Sequence, residues 1–310
     1  VAQPGLLHRG AERDRDAGGQ GDDVLQRAAQ FHPDHVVAGV DAEHGGHQEL
    51  LQETIARKPA GGTSAVLTFD IPPEQFFRGN LQLLSTFPRR TELFHVFGID
   101  EVAWFNFGPD IASMEASHFV ERILVEEMKA KAVICGYDYR FGKGRAGDAE
   151  YLKEQGERLG FEVKIVPQVQ GTGGYTISST RIRTLLQEGD LTQVRECLGY
   201  YPTYQVTLAS QTLQFDPALV LPRKGLYLIW YQPKTGPSLA ALGLRTTGHE
   251  MVVTFLHDQP HDRAENELVK VGLLAKISED ESPEITEAKV LRAKEMLTSI
   301  CLQEGRVMLK

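Results

Sequence analysis

The chain has 310 residues, 41% of them hydrophobic and 24% charged, with a net charge of −9. That length suggests about two domains, and the composition is that of a globular protein with enough apolar side chains for a core. The acidic balance argues against broad nucleic-acid binding, which needs a basic face, but leaves room for a local basic patch that meets a small anion.

The three cysteines, Cys135, Cys197 and Cys301, are far apart and form no Cys-x-x-Cys pair. This argues against a disulfide framework or a zinc site and fits a reducing cytoplasm. No apolar run approaches the roughly 20 residues of a membrane span, and the N-terminus lacks the apolar core of a signal peptide. The expectation is a cytoplasmic protein with neither a membrane nor a nucleic-acid partner.

Residues 1–30 are rich in Gly, Asp, Arg and Gln. Such a segment buries too little to order itself and reads as a loose arm, with a short helix near Val24–Gln30. Val36–Val40 reads as a buried strand, Asp41–His47 as the loop at its end and Gln48–Ala56 as a helix. A second strand follows at Ser64–Phe69, with a turn at Asp70–Pro73. Leu81–Leu84 and Arg90–Phe97 read as helical, Val102–Phe107 as a third strand. Phe119, Val120, Ile123, Leu124 and Met128 form the stripe of a packed helix over Ser117–Met128. Ala132–Gly136 is a fourth strand, Tyr151–Leu159 a helix and Phe161–Val166 a fifth strand. Strands alternating with helices predict right-handed crossovers and a parallel sheet covered on both faces. Ligands of such sheets bind beyond the carboxyl ends of the strands.

Ile182, Leu185 and Leu186 have helical spacing, with Gly189 as a stop. Asp190 can cap a short helix, Leu191–Leu198, closed by Gly199. After Pro202 the texture changes. Tyr204–Leu208, Gly225–Tyr231, Ser238–Leu244 and Met251–His257 are short strand-like runs that suggest an antiparallel barrel or sandwich. Glu284–Leu297 reads as a final amphipathic helix. The domain boundary is expected at 200–203.

Four stretches carry chemistry. Thr176–Leu186 sets two serines and a threonine ahead of a helix whose first turn has spare backbone N–H groups, a good place for phosphates. Arg181 and Arg183 are two apart and do not share a face, so one of them points at a ligand. Asp41-Ala-Glu-His-Gly-Gly-His47 places two histidines around glycines, after a strand and before a helix. Glycine lets a bulky anion approach, and the imidazoles can donate to phosphoryl oxygens. A metal pair is the rival reading, weakened by the lack of a third ligand. Gly136–Asp148 packs four glycines, three aromatics and three basic residues into thirteen positions. It can set an aromatic face and a carboxylate against a planar ring. Thr68-Phe-Asp-Ile-Pro-Pro73 alone reads as turn chemistry.

Together these stretches, over about residues 36–200, resemble the bacterial bifunctional riboflavin kinase/FMN adenylyltransferase family, the FAD synthetases. His44-Gly-Gly-His47 is similar to its His-x-Gly-His signature. Gly136–Asp148 resembles its Gly-x-Asp-Phe-x-Phe-Gly loop, with Tyr139 in the Phe position. Ile177–Arg183 resembles its Ile-Ser-Ser-Thr-x-Ile-Arg motif. The resemblance implies a Rossmann-like nucleotidyltransferase domain over 31–200 and a smaller antiparallel β-barrel-like domain with a C-terminal helix over 201–310. It implies ATP and FMN as substrates, with magnesium accompanying ATP, and riboflavin as the substrate of the other half. His44, His47 and Arg183 would be catalytic. Asp41, Gly46, Ser178, Ser179, Thr180 and Arg181 would bind ATP. Phe69, Asp138, Tyr139, Phe141 and Gly142 would line the flavin side.

The departures from the family are specific. Val40-Asp-Ala-Glu-His44 stands where the family has Phe-Asp-Gly-Val-His, so Ala42 crowds the nucleotide and Glu43 adds a charge near a triphosphate. Phe69-Asp-Ile-Pro-Pro73 lacks the histidine of the family's Phe-x-Pro-His-Pro. After residue 200 no Pro-Thr-Ala-Asn run occurs, and Pro202-Thr203 continues as Tyr204-Gln205. Lys224-Gly-Leu-Tyr227 is similar to the family's Gly-Val-Tyr strand. The expected kinase half is therefore a degenerate scaffold. Two alternatives stay open: a non-catalytic flavin- or nucleotide-binding protein of this ancestry, and an adenylyl- or cytidylyltransferase for another phosphorylated substrate.

Overall fold

The computed structural model describes residues 25–27, 35–39, 45–171, 173–256, 266–279 and 284–304. Strand β1 (Leu25–Arg27) stands where a short helix was expected over 24–30, and the rest of the N-terminal arm lies outside the described residues. The helix pattern fails here because β1 pairs antiparallel with a distant strand, so tertiary pairing overrides local preference.

The first half alternates as predicted. β2 (His35–Gly39) leads to α1 (Gly45–Ala56) and β3 (Thr63–Phe69). α2 (Pro73–Arg78) and α3 (Phe87–Val96) precede β4 (Glu101–Phe105). Leu81–Leu84, expected as helix, is not helical; Leu83 forms an isolated bridge to Leu219. α4 (Pro109–Ala112) and α5 (Ala116–His118) run into a π-wound segment, Phe119–Glu127. β5 (Ala130–Gly136) follows, then the hairpin strands β6 (Arg140–Phe141) and β7 (Gly147–Asp148), α6 (Ala149–Leu159) and β8 (Glu162–Val166).

The large sheet has the order β1-β4-β3-β2-β5-β8, and all neighbours except β1 and β4 are parallel. Successive side chains alternate between its faces. Val36 and Ala38 face α1 and α3 through Leu50, Leu51 and Phe94. Val37 faces the π-wound segment and α6 through Ile123, Leu124 and Leu152. Burial on both faces explains the unbroken apolar runs.

α7 (Ser179–Glu188) and α8 (Leu191–Leu198) lead into the second half. β9 (Thr203–Ala209), β10 (Thr212–Gln214), β11 (Gly225–Gln232), β12 (Leu239–Arg245), β13 (Glu250–Phe255) and β14 (Glu267–Ser278) close into an antiparallel barrel, order β10-β13-β12-β11-β14-β9. α9 (Glu287–Glu304) packs outside it. On β11, Tyr227, Ile229 and Tyr231 point into the barrel, while Leu226 and Leu228 lie on the side covered by α9. The barrel's inner cluster continues into α7 and α8 through Ile182, Leu185, Leu186, Val194 and Leu198.

Polar contacts tie the sheet to the barrel. The Leu83 N–H donates to the Ala218 carbonyl at 2.7 Å, and the Val220 N–H to the Leu83 carbonyl at 2.8 Å. Arg89 donates through Nε to the Thr203 hydroxyl at 3.0 Å. Glu92 on α3 accepts from Arg89 at 2.8 Å and from Lys270 of β14. Burial alone would raise the Glu92 carboxyl, but hydrogen bonds from Lys270 and Arg89, with their charges, outweigh it and hold it below its ordinary value of 4.5. A depressed carboxylate contributes stability above its unfolded pKa and loses it as pH falls through the folded one. Glu92→Gln should therefore lower stability by about 1 kcal/mol at pH 7. In urea unfolding, that difference should shrink as pH drops below 4.5.

Candidate functional site

The chain leaves β2 toward β3 and β4 on one side of the sheet, and leaves β5 toward β8 on the other. The neighbouring ends of β2 and β5 thus form the switch point where parallel sheets bind ligands. α1 opens directly there. Its first turn is Gly45, Gly46 and His47, so His47 lies on the helix rather than in the expected loop. The first N–H groups of a helix have no partner within it and carry the positive end of its dipole. Gly46 and the half-buried His47 therefore sit where an anion is favoured. Asp41 and His44 lie outside the described residues, as do Val40, Ala42 and Glu43.

Tyr139 crosses the end of β2. A Cβ at Gly39 would lie 3.0 Å from the Tyr139 hydroxyl oxygen and 3.1 Å from its ring, so a side chain there would displace the tyrosine. The loop that carries Tyr139 is a braced hairpin. The Tyr137 N–H donates to the Val166 carbonyl at 3.0 Å and the Tyr139 N–H to the Gly136 carbonyl at 3.1 Å. Asp148 caps α6 by accepting from the Tyr151 N–H at 2.8 Å. Phe141 stacks on Tyr139 at 5.4 Å and meets Phe119 at 5.2 Å. With 8% of its surface exposed, Phe141 backs Tyr139 rather than facing the crevice. Gly142 has φ +72°, and its Cα passes so near α5 that a Cβ would lie 2.7 Å from the Ala116 Cα. Of the expected flavin residues on this loop, exposed Asp138 and half-buried Tyr139 are accessible.

Phe69 ends β3 and meets Phe107 edge-on at 5.0 Å. Phe107 in turn meets Phe76 at 5.3 Å and Phe77 at 5.9 Å. Phe76 and Phe77 on α2 are 41% and 68% exposed, an aromatic surface at the strand ends that the sequence reading missed. Its signal was Pro72-Pro73 followed by Phe76-Phe77: a proline at N1 starts a helix, and paired aromatics in so short a helix cannot both be covered. Asp70 knits this corner, accepting from the Phe107 N–H at 2.8 Å and the Ile71 N–H at 2.7 Å. Buried Arg90 donates to the carbonyls of Phe69 and Asp70.

Ser178 caps α7, its hydroxyl accepting from the Arg181 N–H at 3.2 Å, and Ser179 and Thr180 form the first turn. The two arginines diverge. Arg181 lies 4.1 Å over the Tyr175 ring and donates to Gln193 of α8 at 2.8 Å, away from the strand ends. Arg183 is half-buried and donates through Nε to the Gln82 carbonyl at 2.6 Å. Burial pulls its guanidinium down, and the charge of Glu74 on α2 opposes this. α1 is tied to the end of α8 through Gln48, which donates to the Leu198 carbonyl. Among the described residues no group of three or more His, Cys, Asp or Glu is placed to hold a metal ion.

Fold and topology together define a Rossmann-like parallel sheet joined to a closed antiparallel barrel. A family profile described as FAD synthetase matches residues 29–181. A Geobacillus thermodenitrificans protein assigned to the bifunctional riboflavin kinase/FMN adenylyltransferases is 33% identical over 171 residues, 54% of this chain and 91% of that protein. The Pseudomonas fluorescens bifunctional riboflavin kinase/FMN adenylyltransferase is 31% identical over 170 residues, and the match spans only 53% of its length. Among solved structures, one described as a macrolide-efflux protein from Streptococcus pneumoniae superposes with a TM-score of 0.65 at 26% identity, covering 80% of this chain and 95% of that one. No helix among the described residues here is long and apolar enough to cross a membrane. The chain belongs to the bifunctional riboflavin kinase/FMN adenylyltransferase family.

Proposed function

We propose that the chain is an FMN adenylyltransferase that converts FMN and ATP to FAD and pyrophosphate, in the cytoplasm. The observation that carries this reading is the Gly45-Gly46-His47 turn of α1 opening at the β2–β5 switch point, with Tyr139 laid across Gly39. A phosphate oxygen of FMN attacks the α-phosphorus of ATP. The bond from that phosphorus to the oxygen bridging toward the β-phosphorus breaks, and pyrophosphate leaves with the electron pair. Little covalent chemistry falls to the protein, so positioning and charge stabilisation dominate. The α1 turn and His47 meet the α-phosphoryl group. Ser178, Ser179 and Thr180 cap the leaving phosphates, with Arg183 as the cation beside them on α7. Asp138 and Tyr139 flank the ring system on one side, and Phe69 with the Phe76–Phe77 surface offers a stacking face on the other. Magnesium would arrive with ATP and offset triphosphate charge. Such an ion keeps water and phosphate oxygens as most of its ligands and needs few from the protein.

The barrel half is read as having weak or no riboflavin kinase activity. The Pro-Thr-Ala-Asn run is missing after residue 200, and Ala218, Leu219 and Val220 instead dock against Leu83. One observation favours the second reading, a non-catalytic flavin or nucleotide binder: Arg183 is already engaged by the Gln82 carbonyl. The deciding experiment incubates the protein with FMN, ATP and magnesium and separates products by chromatography, with riboflavin replacing FMN in a parallel reaction. FAD and pyrophosphate in equal amounts, with little or no FMN formed from riboflavin, are expected. Binding of FMN or ATP without FAD would move the reading to the non-catalytic protein.

A further inference from the structure

An open cleft of about 450 Å³ lies between the end of α7 and the rim of the barrel. Arg223, Lys224, Arg245 and His249 line its barrel side; Gln82 and Gln187 line the other. Strand pairing explains why the cations converge. Gly225 at the start of β11 is opposite Arg245, and Arg245 is opposite Met251 at the start of β13. The residues just before β11 and those of the β12–β13 turn must therefore share one rim. Gln187 and Gln82 are joined amide to amide at 3.0 Å, which fixes the facing wall.

No carboxylate is among the described residues that line this cleft, in a chain of net charge −9. Arg245 is half-buried, and its Nε has no hydrogen-bond partner among the described residues. Its Nη1 reaches only the Thr246 carbonyl, at 3.5 Å. A partly desolvated guanidinium with a spare donor is stabilised by an arriving anion. Burial pulls its pKa down, against the opposing influence of Tyr227 and Tyr204. Among the described residues, Glu279 pairs with Arg223: it is exposed just past the end of β14, 3.6 Å from Arg223 and 3.0 Å from Lys276.

We propose that this cleft is an anion site for a small phosphate-bearing ligand, with Arg223, Arg245 and His249 as its donors and Glu279 as an internal competitor for Arg223. Its volume suits anything from free pyrophosphate to a mononucleotide, and the cations read the phosphate common to both. None of the residues assigned to the strand-end crevice lines this cleft, and the site does not rest on the adenylyl-transfer reading.

The test follows the His249 C2 proton by NMR in the full chain, in buffer free of phosphate and divalent metal. The resonance is assigned by its loss in His249→Gln. Inorganic pyrophosphate and AMP are titrated separately, and whichever saturates at lower concentration identifies a free or a nucleoside-borne phosphate. A saturable shift is expected. Arg223→Ser and Arg245→Gln should each raise the half-saturating concentration about 10-fold. Glu279→Gln should lower it about 2- to 5-fold. Arg223 and Glu279 are exposed, so their variants carry the test even if Arg245→Gln does not fold. A His249 signal that responds to neither probe, or a response that the Arg223 and Glu279 variants leave unchanged, would overturn the proposal.

Discussion

His47→Ala should slow FAD formation about 10²-fold with little change in the KM for FMN, because the lost donor acts on charge that builds at phosphorus. The fold should not register the change. His47 lies in the first turn of α1, half-buried, and alanine is the better helix former. Thermal unfolding should therefore match the parent within about 0.5 kcal/mol. His47→Gln keeps a hydrogen-bond donor and should recover part of the rate. An unchanged rate in His47→Ala would remove α1 from the chemistry and send the search for the phosphoryl site to α7.

Gly142→Ala should destabilise the protein by about 2–4 kcal/mol, the combined effect of backbone strain and overpacking. The backbone there, φ 72° and ψ 173°, lies in a region nearly confined to glycine. The added methyl would also press on the Ala116 backbone, 2.7 Å from its Cα, on an element that cannot step aside without moving the π-wound segment behind it. Urea unfolding with an unchanged slope would measure the loss. The same variant separates two roles for a loop glycine. If Gly142 only lets the hairpin pack, stability falls and FMN affinity falls only as the loop loosens. If it lies against flavin, FMN affinity is lost in protein of normal stability. Asp138→Asn, at an exposed position, provides the contrast, because it should weaken FMN binding while leaving unfolding nearly unchanged.

Much of the sheet was legible because burial on both faces leaves runs such as Val36–Gly39 and Ala132–Gly136 with almost no polar interruption. The caps at Ser178, Asp190, Gly189 and Gly199 were legible for a similar reason, each being a local hydrogen-bonding need. Leu81–Leu84 was not, since four residues cannot display a period, and the bridge of Leu83 is made with Leu219 from the other half of the chain. The long strand Glu267–Ser278 escaped because Lys270 and Lys276 break its apolar pattern, and one of them is there to meet Glu92 across the junction. The stripe over Ser117–Met128 announced a buried helix, but its π winding comes from backbone bonds that the stripe does not encode. At the site, spacing alone said that Arg181 and Arg183 point differently. Which one turns away was decided by Tyr175 and Gln193, partners that only the fold brings within reach.

The hydrophobic cluster common to α7, α8 and the barrel interior constrains what the chain can discard. A substitution on the barrel's rim can erase a chemical activity and leave the fold untouched. Deleting the barrel would leave Ile182, Leu185, Leu186, Val194 and Leu198 against water, at about 1.5–3 kcal/mol for each large aliphatic side chain exposed. It would also remove the segment on which Leu83 hangs, and with it the fixed position of the Gln82 carbonyl that holds Arg183. Whatever chemistry it performs, the barrel thus has a mechanical role as the foundation under its neighbour's arginine, and a change that altered that chemistry would still leave the architecture under selection.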